Sequence, residues 1–400
     1  MVDVSGTELR LVSPMVIVTV VGIAVLMLQV FHRSKASRKY LAWISILGLG
    51  IAGLDSVYLL ASGADHEAFS GMLHIDSFSL VVNLLIVVAG ILSCLISPAY
   101  LDSHRMDRGE YYGLMLFSVC GMMTMGAAAD LFTVFMGVEM MSIPIYCLAT
   151  FFRYSPRSAE SGMKYFILGA FSSAFLLYGI ALIYGLTGTT QLEGIRTALS
   201  SGAFFVGGEP TSTLATMPAI AMVMILVAFA FKVAAVPFHT WTPDVYEGAP
   251  SSVVGFMATA VKIAGFAALV RVFVVGFFDA PARISDTGWL IVFFWLAILS
   301  MALGNVVAIV QKSVKRMLAY SSIAHAGYLL VGFVAASHSA QDFPQLDSVL
   351  FYLMAYTFAT VGAFAVLAYF GKRGEECTTY DDLAGIGTRY PGASLAMAIF

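Results

Sequence analysis

Long apolar runs separated by short polar segments dominate the 400-residue chain. A helix rises about 1.5 Å per residue, so about 20 apolar residues cross the hydrocarbon core of a bilayer. Eleven runs approach or exceed that length, and a twelfth begins near Ala393. The pattern predicts an all-α polytopic membrane protein. The predicted spans cover residues 11–31, 41–61, 75–97, 111–128, 131–152, 162–187, 214–237, 250–277, 288–310, 314–336 and 348–370.

Composition excludes the main soluble classes. Hydrophobic residues make up 60% of the chain and charged residues 11%, whereas soluble domains average about 45–50% and about 25%. Strands of a membrane β-barrel would alternate apolar and polar residues, and these runs do not. The formal net charge of −3 offers no basic field for a nucleic acid.

Basic residues are distributed unevenly between the two sides of the predicted topology. Of 21 Lys and Arg residues, 15 fall in the loops after odd-numbered spans and four on the opposite side. The positive-inside rule then places the N-terminus outside. The loop at 239–250 holds no Lys or Arg, but the span count places it on the inner side. The inner residues are Arg33, Lys35, Arg38, Lys39, Arg105, Arg108, Arg153, Arg157, Lys164, Lys312, Lys315, Arg316, Lys372, Arg373 and Arg389, and the outer ones Arg10, Arg196, Arg271 and Arg283.

The apolar runs at the two ends of the chain are also predicted to be membrane spans. Basic residues follow the first apolar run instead of preceding it, which favours a retained span over a cleaved signal peptide. The last apolar run stops at Phe400, so we expect further helices beyond that residue.

The remaining two basic residues, Lys232 and Lys262, lie inside apolar spans, as do Glu139 and His325. A lysine at the centre of a membrane helix costs about 2.5–3.5 kcal/mol on insertion scales and is usually functional. Burial disfavours the charged forms of lysine and carboxylate, and pairing restores them. Separating and rejoining a Lys–Glu pair would therefore switch proton affinity, and histidine can relay protons near neutral pH. These four residues are the predicted proton-translocation site, with Lys232 close to Glu139.

A salt bridge that only joins helices is the alternative interpretation of these charges. It is favoured for Asp55 and Asp130, which lie near span ends. Residues 48–53 match the pattern GxGxxG, but they lie within a span, whereas a dinucleotide site requires a strand before the glycines. No spacing typical of zinc or haem ligands occurs. We therefore expect no cofactor and no metal in this chain.

Two prolines follow intramembrane charges by five residues. Pro237 follows Lys232, and Pro144 follows Glu139. Proline removes a helical hydrogen bond, and in a membrane the freed carbonyl must be satisfied by protein or water. Broken helices beside a charge are typical of transporters. Both prolines are therefore predicted helix breaks.

Residues 231–271 have the sequence FKVAAVPFHTWTPDVYEGAPSSVVGFMATAVKIAGFAALVR. This segment resembles the proton-pumping antiporter-like membrane subunits of respiratory complex I. Within this segment, the motif HTWTPDVYEGAP is most similar to the subunit N branch, called subunit 2 in mitochondria. The segments GVEMMSIPIYCLATFFR and VKRMLAYSSIAHAGYLLVG agree with it. The resemblance extends from about Tyr111 to the end of the chain.

The resemblance implies three N-terminal helices at 1–110 and two inverted five-helix repeats, at 111–277 and at 288–400. The second repeat would be incomplete, because its broken helix, the twelfth, only begins here. In the family, the positions of Glu139, Lys232 and Lys262 form a charge-paired half-channel and a central hydrophilic axis. The helix that carries His325 also contributes to that axis.

The implied function is proton translocation within a bacterial NADH:quinone oxidoreductase in the inner membrane. NADH, FMN, iron–sulfur clusters and quinone would bind to other subunits, and the partners would include neighbouring antiporter-like subunits. An alternative is a subunit of a multi-chain sodium/proton antiporter or of a membrane-bound hydrogenase. A free-standing solute carrier would need polar side chains shaped for a solute, and a structural scaffold would not need deep charges.

Overall fold

The computed structural model describes residues 6–31, 38–152, 155–201, 205–206, 209–210, 216–278, 288–337, 346–371 and 376–400. The helices are α1 Gly6–Leu11, α2 Ser13–Phe31, α3 Lys39–Ala61, α4 Ser77–Ser103, α5 Glu110–Ala127, α6 Leu131–Ala149, α7 Pro156–Thr187, α8 Leu192–Ser201, α9 Thr216–Lys232, α10 Trp241–Gly248, α11 Ser251–Leu269 with a π-helical continuation Val270–Gly276, α12 Trp289–Ile309, α13 Val314–Ala336, α14 Leu346–Phe370, α15 Ile386–Arg389 and α16 Pro391–Ile399. Two antiparallel strand pairs accompany them, β1 His66–Ala68 with β2 Leu73–Ile75 and β3 Phe205–Val206 with β4 Glu209–Pro210.

The predicted all-α membrane architecture is confirmed. Each of the eleven predicted spans coincides with a helix, and α16 lies where the twelfth begins. Within the described residues, nine helices are long and apolar enough to cross a bilayer. The other two spans are shorter: α5 has 18 residues with Glu110 in its first turn, and α9 has 17.

Short polar side chains fix where several spans begin. Asp130 precedes α6, and its carboxylate accepts hydrogen bonds from the backbone N–H groups of Phe132 and Thr133 at 2.7 and 3.2 Å. Such a cap satisfies donors that have no partner within the helix. Asp55, in α3, accepts a hydrogen bond from Arg10 at 2.6 Å. Both aspartates thus have structural contacts near span ends.

Helix α11 lies at the centre of the bundle. All of its residues, Ser251–Leu269, are buried, and it packs against α4, α5 and α14. A helix that is apolar on every side is stable only when neighbours surround it. The neighbouring helices α5 and α6 approach closely at Gly121, where an added Cβ would lie 2.4 Å from the backbone nitrogen of Met141. Small residues allow such close contact in membranes.

The chain breaks its helical path after Lys232, the last residue of α9. Ala234 adopts a left-handed conformation with φ of 61°. The free backbone groups find partners: the N–H of Val236 donates to Ser300 Oγ at 2.9 Å, and Trp241 Nε1 donates to the carbonyl of Phe231 at 3.1 Å. Protein contacts therefore satisfy these two backbone groups at the break.

Pro144 does not break its helix, contrary to the sequence-based expectation. Helix α6 runs through it from Leu131 to Ala149. Proline removes the N–H that would donate to the carbonyl of Met140, and α6 continues past this missing bond while it packs closely against α5. The hydroxyl of Ser118 in α5 donates to the carbonyl of Met141 at 3.0 Å.

Polar contacts place several helix ends together at one end of the bundle. Lys39, which begins α3, forms an ion pair of 2.9 Å with Asp102 near the end of α4. Glu376 accepts hydrogen bonds from Tyr100 of α4 and from Lys315 near the start of α13. The starts of α3 and α13 and the end of α4 therefore share one end.

Helix α10 lies at that same end. Asp244 accepts hydrogen bonds from Arg316 of α13 at 2.9 Å and from Lys164 of α7 at 2.8 Å. The segment 239–250 is thus placed with Lys39, the relative position that the span count predicts. The predicted loop residues Arg33, Lys35, Arg153, Arg283, Lys372 and Arg373 lie outside the described residues.

Candidate functional site

Lys232 ends α9 with its ammonium inside the bundle, where the residue is 3% exposed. Its Nζ donates to Ser142 Oγ at 2.7 Å and to the hydroxyl of Tyr146 at 3.4 Å. It also lies 5.7 Å from the centre of the Tyr146 ring, close enough for a cation–π interaction. Neutral oxygens and an aromatic ring thus hold this buried lysine.

Glu139 lies on the same face of α6 as these partners, because Ser142 and Tyr146 follow it by three and seven residues. No ion pair within 4.0 Å joins Glu139 to Lys232, both of which lie in the described part of the chain. Glu139 Oε1 is buried and has no hydrogen-bond partner among the described atoms. The expected direct pairing of Lys232 with Glu139 is therefore absent from this arrangement. Lys232 instead binds Ser142, which lies about one helical turn from Glu139.

Lys262 lies within the fully buried α11 and is 2% exposed. Its Nζ donates to the carbonyl oxygen of Ser322 and, at 2.6 Å, to Ser322 Oγ. The ammonium also lies 5.3 Å from the centre of the Tyr356 ring. One serine of α13 therefore supplies both hydrogen-bond acceptors of this lysine.

His325 follows Ser322 by three residues in α13 and is half-buried. Its Nδ1 is 2.5 Å from the hydroxyl of Tyr352 in α14. Both residues line a cavity of about 260 Å³, together with Ser322 and Tyr356. The structure therefore brings Lys262 and His325 to one neighbourhood through Ser322.

No hydrogen bond joins the surroundings of Lys232 and Lys262 among the described residues, but aromatic side chains fill the space between them. Tyr146 contacts Tyr165 edge-to-face with 4.8 Å between the ring centres, and Tyr165 stacks on Trp241 with 4.4 Å between the ring centres. Trp241 contacts Tyr246, whose hydroxyl is 3.5 Å from Ser322 Oγ. The two lysines thus occupy separate polar sites within one continuous core.

Sequence reasoning did not identify the hydroxyl groups that contact the charges. A signal was present, because Ser142 and Tyr146 share a helical face with Glu139, and Ser322 lies one turn from His325. Among the described residues, no group of three or more His, Cys, Asp or Glu side chains is arranged to hold a metal ion. The site is therefore a set of protonatable and hydroxyl groups.

Two further buried cations lie near the ends of α11, and both have carboxylate partners. Lys315 pairs with Glu376 at 2.7 Å, and Arg271 pairs with Asp76 at 2.6 Å. Glu376 also accepts from the hydroxyl of Tyr100 and from the backbone N–H of Ser251. Burial raises the pKa of the Glu376 carboxyl, but Lys315 and these hydrogen bonds outweigh it, so its pKa lies below its ordinary value.

Comparison with known proteins identifies the family. Residues 128–400 match the model of the family described as NADH:quinone oxidoreductase/Mrp antiporter, TM. The chain is 46% identical to NADH-quinone oxidoreductase subunit N of Trichlorobacter lovleyi, over 98% of this chain and 76% of that relative. It is 42% identical to subunit N of Myxococcus xanthus, over 96% of this chain and 76% of the relative. The chain belongs to the subunit N family of NADH-quinone oxidoreductases.

Similar chains also occur in solved structures of membrane complexes. A chain of respiratory complex I from Thermus thermophilus, solved with bound aureothin, is 33% identical with a TM-score of 0.75. The alignment covers 96% of this chain and 76% of that one. A chain of the Mrp complex from Dietzia has a TM-score of 0.79 but only 23% identity, over 98% of this chain and 70% of that one, which shows the shared fold alone.

Proposed function

We propose that this chain translocates protons as the N subunit of a bacterial NADH-quinone oxidoreductase, with Lys232, Lys262 and His325 as proton carriers. Subunit N relatives and the complex I structure support the assembly. Its partners are then other membrane subunits of that complex, including neighbouring antiporter-like subunits. NADH, FMN, iron–sulfur clusters and quinone are bound elsewhere in the complex.

The observation that carries the mechanism is the environment of Lys262. Its ammonium is buried within the membrane core, and the acceptors that the structure shows are the two uncharged oxygens of Ser322. A buried charge without a counter-charge is strained towards its neutral form. Serine oxygens can accept from an ammonium, and the hydroxyl can donate to a neutral amine. Lys262 can therefore gain and lose a proton without rebuilding its site.

Glu139 acts on Lys232 in this proposal. The carboxylate lies one helical turn from Ser142, the serine that binds Lys232. Movement of the lysine towards Glu139 would favour the ammonium, and return to Ser142 would favour proton release. The break after α9 gives Lys232 a position at a helix end, where such a movement needs no change in a continuous helix.

The proposed direction follows from the charge asymmetry. The end of the bundle that contains Lys39, Asp244 and Lys315 is the cytoplasmic side, and the N-terminus is outside. Protons enter from that side, load Lys232 and pass by Lys262 to the cavity beside His325. The proposed repeats at 111–277 and 288–400 place these groups in two related halves.

Proton pumping by membrane vesicles that contain the assembled complex tests this function. Lys262→Ala should lower both NADH-driven proton uptake and NADH-driven quinone reduction by at least about 10-fold, because a proton-transfer group typically contributes 10²–10⁴. Lys164→Ala is the matched control, since Lys164 is 43% exposed and lies in a surface ion pair. Unchanged pumping by Lys262→Ala would contradict the proposed path. Proton movement driven by a sodium gradient without NADH would instead support an antiporter.

A further inference from the structure

The ammonium of Lys262 does not line the cavity that contains His325 and Tyr352. Ser322 connects the two, because it binds Lys262 and also lines that cavity. Ser322 Oγ in turn accepts a hydrogen bond from the hydroxyl of Tyr356 at 2.9 Å. We propose that the hydroxyls of Ser322 and Tyr356 form a two-step relay that carries protons between Lys262 and this cavity. The inference rests on the proposed function, because it assigns the route by which Lys262 exchanges its proton.

Burial makes the hydroxyl route specific. Lys262 and Ser322 are each 2% exposed, and Tyr356 is 6% exposed. The ring of Tyr356 covers the ammonium at 5.3 Å from its centre, while its hydroxyl reaches Ser322. Bulk water therefore has little access to Lys262. Hydrogen bonds at Ser322 Oγ join the ammonium to the hydroxyls of Ser322 and Tyr356, two residues that line the cavity.

A hydroxyl group can serve such a relay because it donates one hydrogen bond and accepts two. In the arrangement described here, Ser322 Oγ accepts from both Lys262 and Tyr356. The hydroxyl of Tyr246, 3.5 Å away, is within reach as a further partner. To prepare the relay, the Tyr356 hydroxyl rotates to donate into the cavity, and the Ser322 hydroxyl rotates to donate to Tyr356. The hydrogen bond between Ser322 and Tyr356 is then reversed, with Ser322 as the donor.

The transfer then balances at each atom. An N–H bond of Lys262 breaks as a new O–H bond forms on Ser322, and the original Ser322 O–H bond breaks as one forms on Tyr356. The original Tyr356 proton leaves to a water or to the imidazole of His325 in the cavity. Lys262 becomes a neutral amine, and the acceptor in the cavity gains the positive charge. No electrons are transferred.

The cavity has room for the acceptor. Its volume of about 260 Å³ exceeds the roughly 30 Å³ that one water occupies in the liquid, and a water needs two to four polar partners. His325, Tyr352, Tyr356 and Ser321 supply such groups on the cavity wall. The His325 ring centre lies 5.0 Å from that of Tyr356, so the side chain that ends the relay packs against the imidazole.

Tyr356→Phe is the decisive variant, because phenylalanine keeps the ring over Lys262 and removes only the relay hydroxyl. We expect NADH-driven proton uptake by membrane vesicles to fall by at least about 10-fold. The matched control is Tyr112→Phe, which removes a buried tyrosine hydroxyl that has no hydrogen-bond partner among the described atoms and should leave pumping unchanged. Ser322→Ala should lower pumping as well, and Ser322→Thr, which keeps a hydroxyl, should restore most of it.

Solvent deuterium distinguishes a relay from a packing role. If proton transfer becomes limiting, Tyr356→Phe will be slowed more by D₂O than the wild-type complex. Wild-type pumping by Tyr356→Phe, or slower pumping without a larger isotope effect, would overturn the relay. If Lys262→Ala abolishes pumping while Tyr356→Phe does not, the relay fails and the proposed function survives. If Lys262→Ala itself pumps normally, the proposed function fails first. Should Ser322→Ala not assemble, Tyr356→Phe decides alone.

Discussion

The buried cations around α11 fall into two groups that differ in their counter-charges. Lys315 and Arg271, towards the ends of the helix bundle, each contact a carboxylate at 2.7 and 2.6 Å. Lys232 and Lys262, in the interior, contact neutral hydroxyls and carbonyls instead. Burial alone therefore does not identify a proton carrier. In the proposal above, the cations with a carboxylate partner are structural, and the two without one carry protons.

The location of the carboxylates explains this division. Asp76 is the residue before α4, and Glu376 lies in the segment between α14 and α15, so both lie outside the spanning helices. Glu139 is half-buried in α6, one helical turn from the serine that binds Lys232, but it forms no ion pair with Lys232 in the described structure. Among the described residues, Lys232 and Lys262 therefore have no carboxylate within 4.0 Å of their ammonium groups.

The largest effect should follow from removing a paired carboxylate. Glu376→Gln leaves the fully buried Lys315 without its counter-charge, and breaking a buried pair costs about 3–5 kcal/mol. We expect much less assembled complex and a lower unfolding temperature, measured on native gels and by thermal unfolding. The double variant Lys315→Met with Glu376→Gln should recover part of the loss. Equal stability of the single and double variants would contradict a structural ion pair.

A smaller effect on assembly, but a clear effect on pumping, is expected for Lys232→Ala. The substitution leaves no carboxylate newly unpaired, because Lys232 binds Ser142 and Tyr146. Assembly should therefore remain normal, while proton uptake and coupled quinone reduction fall by at least about 10-fold. Loss of assembly comparable with Glu376→Gln would place Lys232 among the structural cations.

The pH dependence of stability should distinguish the two groups further. The pKa of Glu376 is lowered in the folded protein from its model-peptide value of 4.5. The pair therefore contributes its full stability above about pH 4.5, and that stability is lost as the pH falls through the lower folded pKa. Thermal unfolding of the wild type below pH 4.5 should show this loss, and the Lys315→Met/Glu376→Gln variant should show less of it. Identical profiles would argue against the pair.

The smallest effect should come from the exposed charges of α10. Asp244 is 38% exposed and contacts Lys164 and Arg316. Exposed ion pairs contribute about 0–1 kcal/mol, so Asp244→Asn should change the unfolding temperature and the pumping rate only slightly. A large loss of pumping would show that this surface cluster takes part in proton entry.

The sequence predicted the elements of this fold better than their contacts. Span positions followed from apolar runs, because the bilayer fixes the length of a spanning helix. The four deep ionisable residues were also visible, because each is rare inside a membrane. Pro144 was misjudged as a break because its local chemistry does not reveal the packing of α6 against α5.

The partners of the lysines could not be derived from local patterns. The hydrogen bonds of Lys262 go to Ser322, 60 residues away in the sequence. Lys315 meets Glu376 across 61 residues. The packing of helices that are distant in sequence decides whether a buried lysine has a carboxylate or a hydroxyl as its partner. A single sequence does not specify that packing.

The charge state of Lys232 is the central claim, and Lys232→Arg tests it most directly. Arginine keeps a positive charge in proteins because its pKa is above about 12. It would preserve a structural cation but could not release a proton during the cycle. We therefore predict normal assembly with NADH-driven proton uptake and quinone reduction both well below wild type in membrane vesicles. Wild-type pumping and a wild-type reductase rate in Lys232→Arg would show that Lys232 is a permanent cation and that no proton passes through it.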